Sequence, residues 1–179
     1  MRVLVAYYSR THTTLRVADG LARELGAAVE VITELHARGT PRAAWRCAAE
    51  ALLCTVPSIS PDRHDPRAYD LVVVGSPVWY GAVSSPVRAY LRRHAGTFNG
   101  LALFVTCGGW RPDRALGHMA EVSRHTPRAT LALTRRDRNG RDAQSKILAF
   151  ANALRPESTR VASDPGVNSA RARSAAVGD

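Results

Sequence analysis

The chain has 179 residues, 45% of them apolar, and a formal charge of +10 from 25 Lys+Arg against 15 Asp+Glu. That length fits one domain with residues to spare, and that apolar share supports a packed core, which excludes a globally disordered chain. Three cysteines exclude a disulfide scaffold and point to a reducing compartment, and no apolar run approaches the roughly 20 residues of a membrane span. Met1-Arg2-Val3-Leu4 enters a strand at once, without a signal-peptide layout, so a cytoplasmic protein is expected. Lys146 is the single lysine. So strong an arginine bias, with abundant alanine, reads as the imprint of GC-rich coding. The basic balance still suits an acidic partner, a nucleic acid or an anionic membrane face.

Residues 2–8, RVLVAYY, read as a first strand, and the hydroxyl-rich 9–14 follows. Leu15, Val17, Ala18, Leu21, Ala22 and Leu25 then recur at helical spacing up to Gly26, a natural stop. Val29 to Ile32 is a short second strand. Residues 39–54 read as a helix capped by Thr40 with Pro41 in its first position, packed through Trp45, Leu52 and Leu53. Cys47 and Cys54 on it are seven residues apart, too far for a disulfide on one helix.

Pro57, Pro61 and Pro66 make the next stretch a loop. Leu71 to Gly75, LVVVG, is continuously apolar, as suits a strand buried on both faces of a parallel sheet. A helix over 86–95, a strand over 101–106, a helix over 112–124, a strand over 129–134 and a helix over 141–154 follow. Alternating strands and helices predict an α/β fold with a parallel sheet over residues 1–155. In 156–179 no apolar side chain exceeds valine and three arginines balance three acids, so a disordered tail is expected.

In open parallel sheets, ligands bind beyond the carboxyl ends of the strands. Three loops there are unusual. Ser9-Arg10-Thr11-His12-Thr13-Thr14 is hydroxyl-rich and opens a helix, whose free N–H groups and dipole favour an anion. It lacks both Gly-Lys-Ser/Thr and G-x-G-x-x-G, so a terminal phosphate fits it better than a triphosphate or a dinucleotide. Ser76-Pro77-Val78-Trp79-Tyr80-Gly81 holds two adjacent aromatics suited to stacking on a planar ring. Thr106-Cys107-Gly108-Gly109-Trp110 offers a glycine pair, which lets backbone approach a ligand closely. A phosphate loop, an aromatic loop and a glycine loop converge on a ligand shaped like flavin mononucleotide (FMN).

On these residues the chain resembles the flavodoxin-like flavoproteins. Tyr7-Tyr8-Ser9-Arg10-Thr11-His12-Thr13-Thr14 is similar to the family's phosphate loop, commonly tyrosine, serine, any residue, threonine, glycine, asparagine, threonine. Gly75 to Gly81 with Pro86, and Thr106 to Gly109, are similar to its two flavin loops. The resemblance implies a three-layer α/β/α sandwich, flavodoxin-like, with a five-stranded parallel sheet in order 2-1-3-4-5. It implies a phosphate held by Ser9, Arg10, Thr11, His12, Thr13 and Thr14. The flavin would be flanked by Pro77, Val78, Trp79, Tyr80 and Gly81 and contacted by Thr106, Cys107, Gly108 and Gly109. His12 and Thr13 replace the family's glycine and asparagine, and a positive φ at position 12 would strain a histidine. Electron-carrier flavodoxins are typically acidic, whereas this chain is basic.

The expected function is an FMN-binding redox protein reducing quinones or similar small acceptors, with Arg10, Arg111 and Arg114 making the flavin potential less negative than in an acidic flavodoxin. No catalytic residue is assigned. The alternatives are an FMN electron-transfer protein serving a redox protein partner, and a quinone-dependent protoporphyrinogen oxidase, which Tyr90-Leu91-Arg92-Arg93-His94 resembles. A homo-oligomer is compatible with the sequence. From a different class, Arg135-Arg136-Asp137-Arg138-Asn139-Gly140-Arg141 suits nucleic-acid phosphates, although no recognition helix or zinc motif accompanies it. The histidines show no metal-ligand spacing. Only Asp62, His64 and Asp65 sit close together.

Overall fold

A computed structural model of the chain describes residues 1–35, 59–109, 111–137 and 141–156. The helix expected over 39–54, with Trp45, Cys47 and Cys54, lies outside the described residues, as do Trp110, Arg138 to Gly140 and the tail from 157.

Five parallel strands form the sheet: β1 (Val3–Tyr7), β2 (Ala28–Val31), β3 (Leu71–Trp79), β5 (Leu101–Thr106) and β6 (Thr130–Leu133). A sixth, β4 (Ala82–Val83), runs antiparallel to β3. The order β2-β1-β3-β5-β6 is the expected 2-1-3-4-5 for the parallel strands, with β4 added beside β3. Among the described residues four α-helices cover the sheet: α1 (Thr13–Leu25), α2 (Ser85–Arg93), α3 (Pro112–Ser123) and α4 (Arg141–Leu154).

The central strands are apolar throughout because both faces are buried. Val3, Val5, Tyr7, Leu71, Val73, Ala102, Phe104, Leu131 and Leu133 pack against α1 and α4. The alternate residues Leu4, Ala6, Val72, Val74, Leu101, Leu103 and Val105 pack against α2 and α3. This is the period of two of a pleated strand, read out twice. Gly75 lies directly across the register from Phe104, whose fully buried ring occupies the space where a Cβ at 75 would sit.

Three sequence readings are corrected. The strand expected to end at Gly75 continues to Trp79, so Ser76 to Trp79 are strand rather than loop. Tyr80 and Gly81, with φ of 51° and 77°, form a two-residue hairpin turn into β4. Positive φ at both central positions is what a type I′ turn requires. Between Ile59 and β3, the proline-rich stretch is not wholly irregular. Ile59 bridges Glu34, and Pro66–Ala68 form a 3-10 turn capped by Asp65.

Glu30, on edge strand β2, is buried, and its carboxylate accepts from the backbone N–H groups of Arg63 and His64, both at 3.0 Å. Asp62 accepts from Arg93 at 3.1 Å and lies 2.9 Å from His94 Nε2. His64 Nδ1 meets the Tyr69 hydroxyl at 2.9 Å. Asp62 and His64 therefore help fasten segment 59–69 to α2 and β2, while Asp65 caps the 3-10 turn within it.

Candidate functional site

The three loops singled out from the sequence lie side by side, because β1, β3 and β5 are neighbours and their carboxyl ends share one edge. Tyr8 N–H donates to Gly75 O at 3.2 Å and Cys107 N–H to Leu133 O at 3.0 Å, carrying the register just past the strand ends.

The first loop turns directly into α1. His12, the helix N-cap, has φ 58° and ψ −1° and makes no side-chain cap. This is the left-handed region, uncommon for any residue but glycine, although histidine tolerates it better than most. The strain expected at position 12 is therefore present. Intrahelical bonding begins with Arg16 N–H to His12 O, so the helix leaves the N–H groups of its first residues without intrahelical acceptors. The first turn contains no acidic side chain. Arg10, Thr11 and His12 are exposed and Thr13 is half-buried.

The hydroxyls of this loop are not equivalent. Thr14 is buried, and its Oγ1 lies 2.8 Å from Oγ1 of Thr106, itself buried at the end of β5. That bond fastens the first loop to the third, and the threonine that accepts in it keeps its own proton to donate. Ser9 Oγ is also buried but has no hydrogen-bond partner. A buried hydroxyl without a partner costs about 1–3 kcal/mol, and such groups call for a reason.

The second loop divides its aromatics. Trp79 is half-buried, with Tyr8 edge-on at 6.1 Å and the Arg10 guanidinium 5.9 Å from its ring centroid. Tyr80, at the hairpin tip, is 99% exposed. Pro77 and Val78 are buried within β3. The base of the hairpin is fixed by Ser76, whose Oγ donates to Pro77 O at 2.8 Å, accepts from Ser84 N–H at 3.2 Å and lies 3.0 Å from Ser84 Oγ. This serine pair was not among the sequence candidates. Its signal was two small hydroxyl residues flanking an aromatic-glycine turn.

In the third loop Cys107 is buried, whereas Gly108 and Gly109 are exposed. Gly109 has φ 118°, which a side chain would not tolerate, and a Cβ at Gly108 or Gly109 would meet nothing within 4 Å. The glycine pair thus faces open space rather than a packed neighbour. Arg111 follows as the α3 N-cap, also left-handed with φ 47°.

Other candidates lie elsewhere. Tyr90 and Leu91 of the pentapeptide 90–94 are fully buried, and Arg93 and His94 bind Asp62, away from the strand-end loops. Burial, with smaller contributions from Asp62 and Glu30, pushes the Tyr90 phenol well above its usual range. Among the described residues no group of three or more His, Cys, Asp or Glu is placed to hold a metal, and no helix is long and apolar enough to cross a membrane.

No protein-family model matches the sequence, and no curated protein is significantly similar to it. Solved structures are. A flavoprotein from Lactobacillus acidophilus, crystallised in complex with FMN, superposes with a TM-score of 0.64 at 21% identity over 76% of this chain and 95% of that one. A flavoprotein candidate from Bacteroides eggerthii reaches 0.70 at 21% identity, over 86% and 97% of the two chains. Oxidised flavodoxin 2 from Bacillus cereus reaches 0.51 at 16%, again over 86% and 97%. With the strand order and the two helical layers, these likenesses establish the architecture: the chain has the flavodoxin-like fold.

Proposed function

We propose that the chain binds FMN across the carboxyl ends of β1, β3 and β5 and works as an FMN-dependent reductase of quinones or similar small acceptors. The observation that carries this reading is Ser9 Oγ, a buried hydroxyl without a partner in a loop that leads into the amino end of α1. The other donors fit the same anion. The free N–H groups at the start of α1 and the absence of acid in its first turn favour a terminal phosphate. Gly108 and Gly109 leave open space for a flat group to lie against backbone. Trp79, held by Tyr8 and Arg10, supplies the aromatic wall. The residues present therefore suit FMN.

FMN, when bound, supplies the electron-accepting and electron-donating chemistry. The chain's own part is binding and electrostatics. Ser9 and the first turn of α1 hold the phosphate. Thr14 and Thr106, bonded to each other, keep the phosphate and glycine loops in fixed register. Arg10 and Arg111, exposed at the same edge, favour negative charge on the cofactor and draw its potential upward. Quinone reduction takes its protons from solvent and needs no acid or base at a fixed position.

The test is the absorption spectrum of purified protein before and after addition of FMN and desalting. Retention of the two visible bands of oxidised flavin, with turnover of a soluble quinone, is the expected result. Complete loss of added FMN on desalting would overturn the proposal.

A further inference from the structure

Beyond β1, β3, β5 and β6 the loops carry Arg10, Arg111, Arg114, Arg135 and Arg136, all exposed. None of the five has a carboxylate within ion-pair distance among the described residues. The arginines that do form such pairs, Arg67 with Asp65, Arg93 with Asp62 and Arg155 with Glu24, lie away from this edge. Among the described residues the acids at this edge are Glu34, Asp113, Asp137 and Asp142, the last in the first turn of α4. Asp137 is already committed: Lys146 donates to it at 2.7 Å, and Thr134 donates through N–H and Oγ1 at 2.8 and 2.7 Å. Lys146 thus offsets its charge, and neither Arg135 nor Arg136 pairs with it.

The arrangement has a centre. β3 lies between β1 and β5, so the β3–β4 hairpin rises midway along the edge, with Arg10 on one side and the remaining arginines on the other. At its tip stands Tyr80, 99% exposed in a strained left-handed conformation. From β1 to β6 is three strand spacings, roughly 14 Å. A central tyrosine among arginines is the composition of protein–protein hot spots.

We infer that this edge is the docking face for an acidic redox protein that delivers electrons to the cofactor. The electron-transfer half of this inference rests on the FMN reading, and the docking half does not. Each encounter oxidises the partner by one electron, two encounters complete the reduction, and solvent supplies the protons.

The experiment uses a reduced, acidic [2Fe–2S] ferredoxin as electron donor to the FMN-loaded protein in stopped flow, with basic cytochrome c as the opposite-charge control, oxidising the reduced protein. With ferredoxin the second-order rate constant should fall about tenfold or more from low to high ionic strength, and with cytochrome c it should rise. Arg135→Gln with Arg136→Gln should lower the low-salt ferredoxin rate several-fold, while the two proteins converge at high salt. If no FMN is retained, binding of dye-labelled ferredoxin to the FMN-free protein, followed by anisotropy, still tests the face. A salt-independent ferredoxin rate, a double variant indistinguishable from the parent at low salt, or duplex DNA displacing the labelled ferredoxin would each overturn the inference.

Discussion

Ser9→Ala separates a structural serine from a phosphate-binding one, because the two roles predict opposite signs. Ser9 Oγ is buried without a protein partner. Removing an unpaired hydroxyl from such a site relieves a desolvation cost of about 1–2 kcal/mol. For a chain of this length that raises Tm by roughly 2–8 °C. With ligand the balance reverses. A hydrogen bond from Ser9 to a charged phosphate oxygen contributes about 1.5–3 kcal/mol, so its loss weakens FMN affinity roughly 10- to 100-fold. Ligand stabilises the fold by RT ln(1 + [L]/Kd), and a hundredfold loss in affinity therefore removes about 2.7 kcal/mol at saturation. A loss of that size exceeds the gain in the free protein, so the stabilisation by Ser9→Ala should shrink as FMN is added and, at the hundredfold end, the order of the two melting temperatures should invert. Thermal unfolding by circular dichroism at a series of FMN concentrations, with Kd from quenching of flavin fluorescence, reads both quantities. A variant less stable than the parent without FMN, or equal affinity in the two proteins, would refute the reasoning.

His12→Gly should raise the Tm of the free protein by a few degrees. It removes a left-handed strain of about 1–2 kcal/mol at φ 58° and returns about half of it as glycine's greater chain entropy. His12→Val should lower Tm by a similar amount, because a β-branched residue tolerates positive φ least. Gly75→Ala should cost about 3 kcal/mol or more in urea unfolding, since its methyl would lie 2.0 Å from Phe104 Cζ. Adding Phe104→Leu to Gly75→Ala should recover part of that loss. His118, on α3, is held below its ordinary pKa of 6.5 by burial and then by Arg88, Arg92 and Arg114, with Glu121 opposing. The unfolded chain then binds more protons between the folded-state pKa and 6.5, so stability rises with pH across that window and is flat above it. His118→Gln should flatten that limb in urea titrations taken at successive pH values.

Most of the scaffold is readable from the sequence because periodicity is a local property. The strand over 101–106 and the helix over 141–154 have their expected bounds, and the other described parallel strands and helices differ by a residue or two, apart from β3. The extension of β3 is not readable in the same way. Ser76 and Pro77 are loop signals, and a proline is excluded from the interior of a sheet because it lacks an N–H. Here β1 stops pairing with β3 at Gly75, so on that side Pro77 has no ladder to break, while its other side still pairs with Thr106. The strand therefore tolerates proline because its neighbour has ended, a fact of tertiary register that no local pattern contains. β4 was missed for a related reason. Two residues carry no periodicity, and the turn is made by Tyr80-Gly81 rather than the asparagine-glycine pair that ordinarily announces a type I′ hairpin.

The site shows the same division between which residues matter and what each is free to do. Composition places four hydroxyls in the first loop and one at the end of β5, and chemistry suggests an anion for them. Only the fold reveals that Thr14 is bonded to Thr106, 92 residues away in sequence, while Ser9 is left without a partner. The arginines follow the same rule. A net charge of +10 describes the chain but not any surface of it. What gives the charge a direction is that Asp137 is taken by Lys146 and Thr134, so among the described residues Arg135 and Arg136 have no ion pair. Both arguments turn on unmatched groups. A hydroxyl without a partner and, among the described residues, five exposed arginines without ion pairs lie on the same edge of the sheet, and a phosphate-bearing flavin together with an acidic donor would match both.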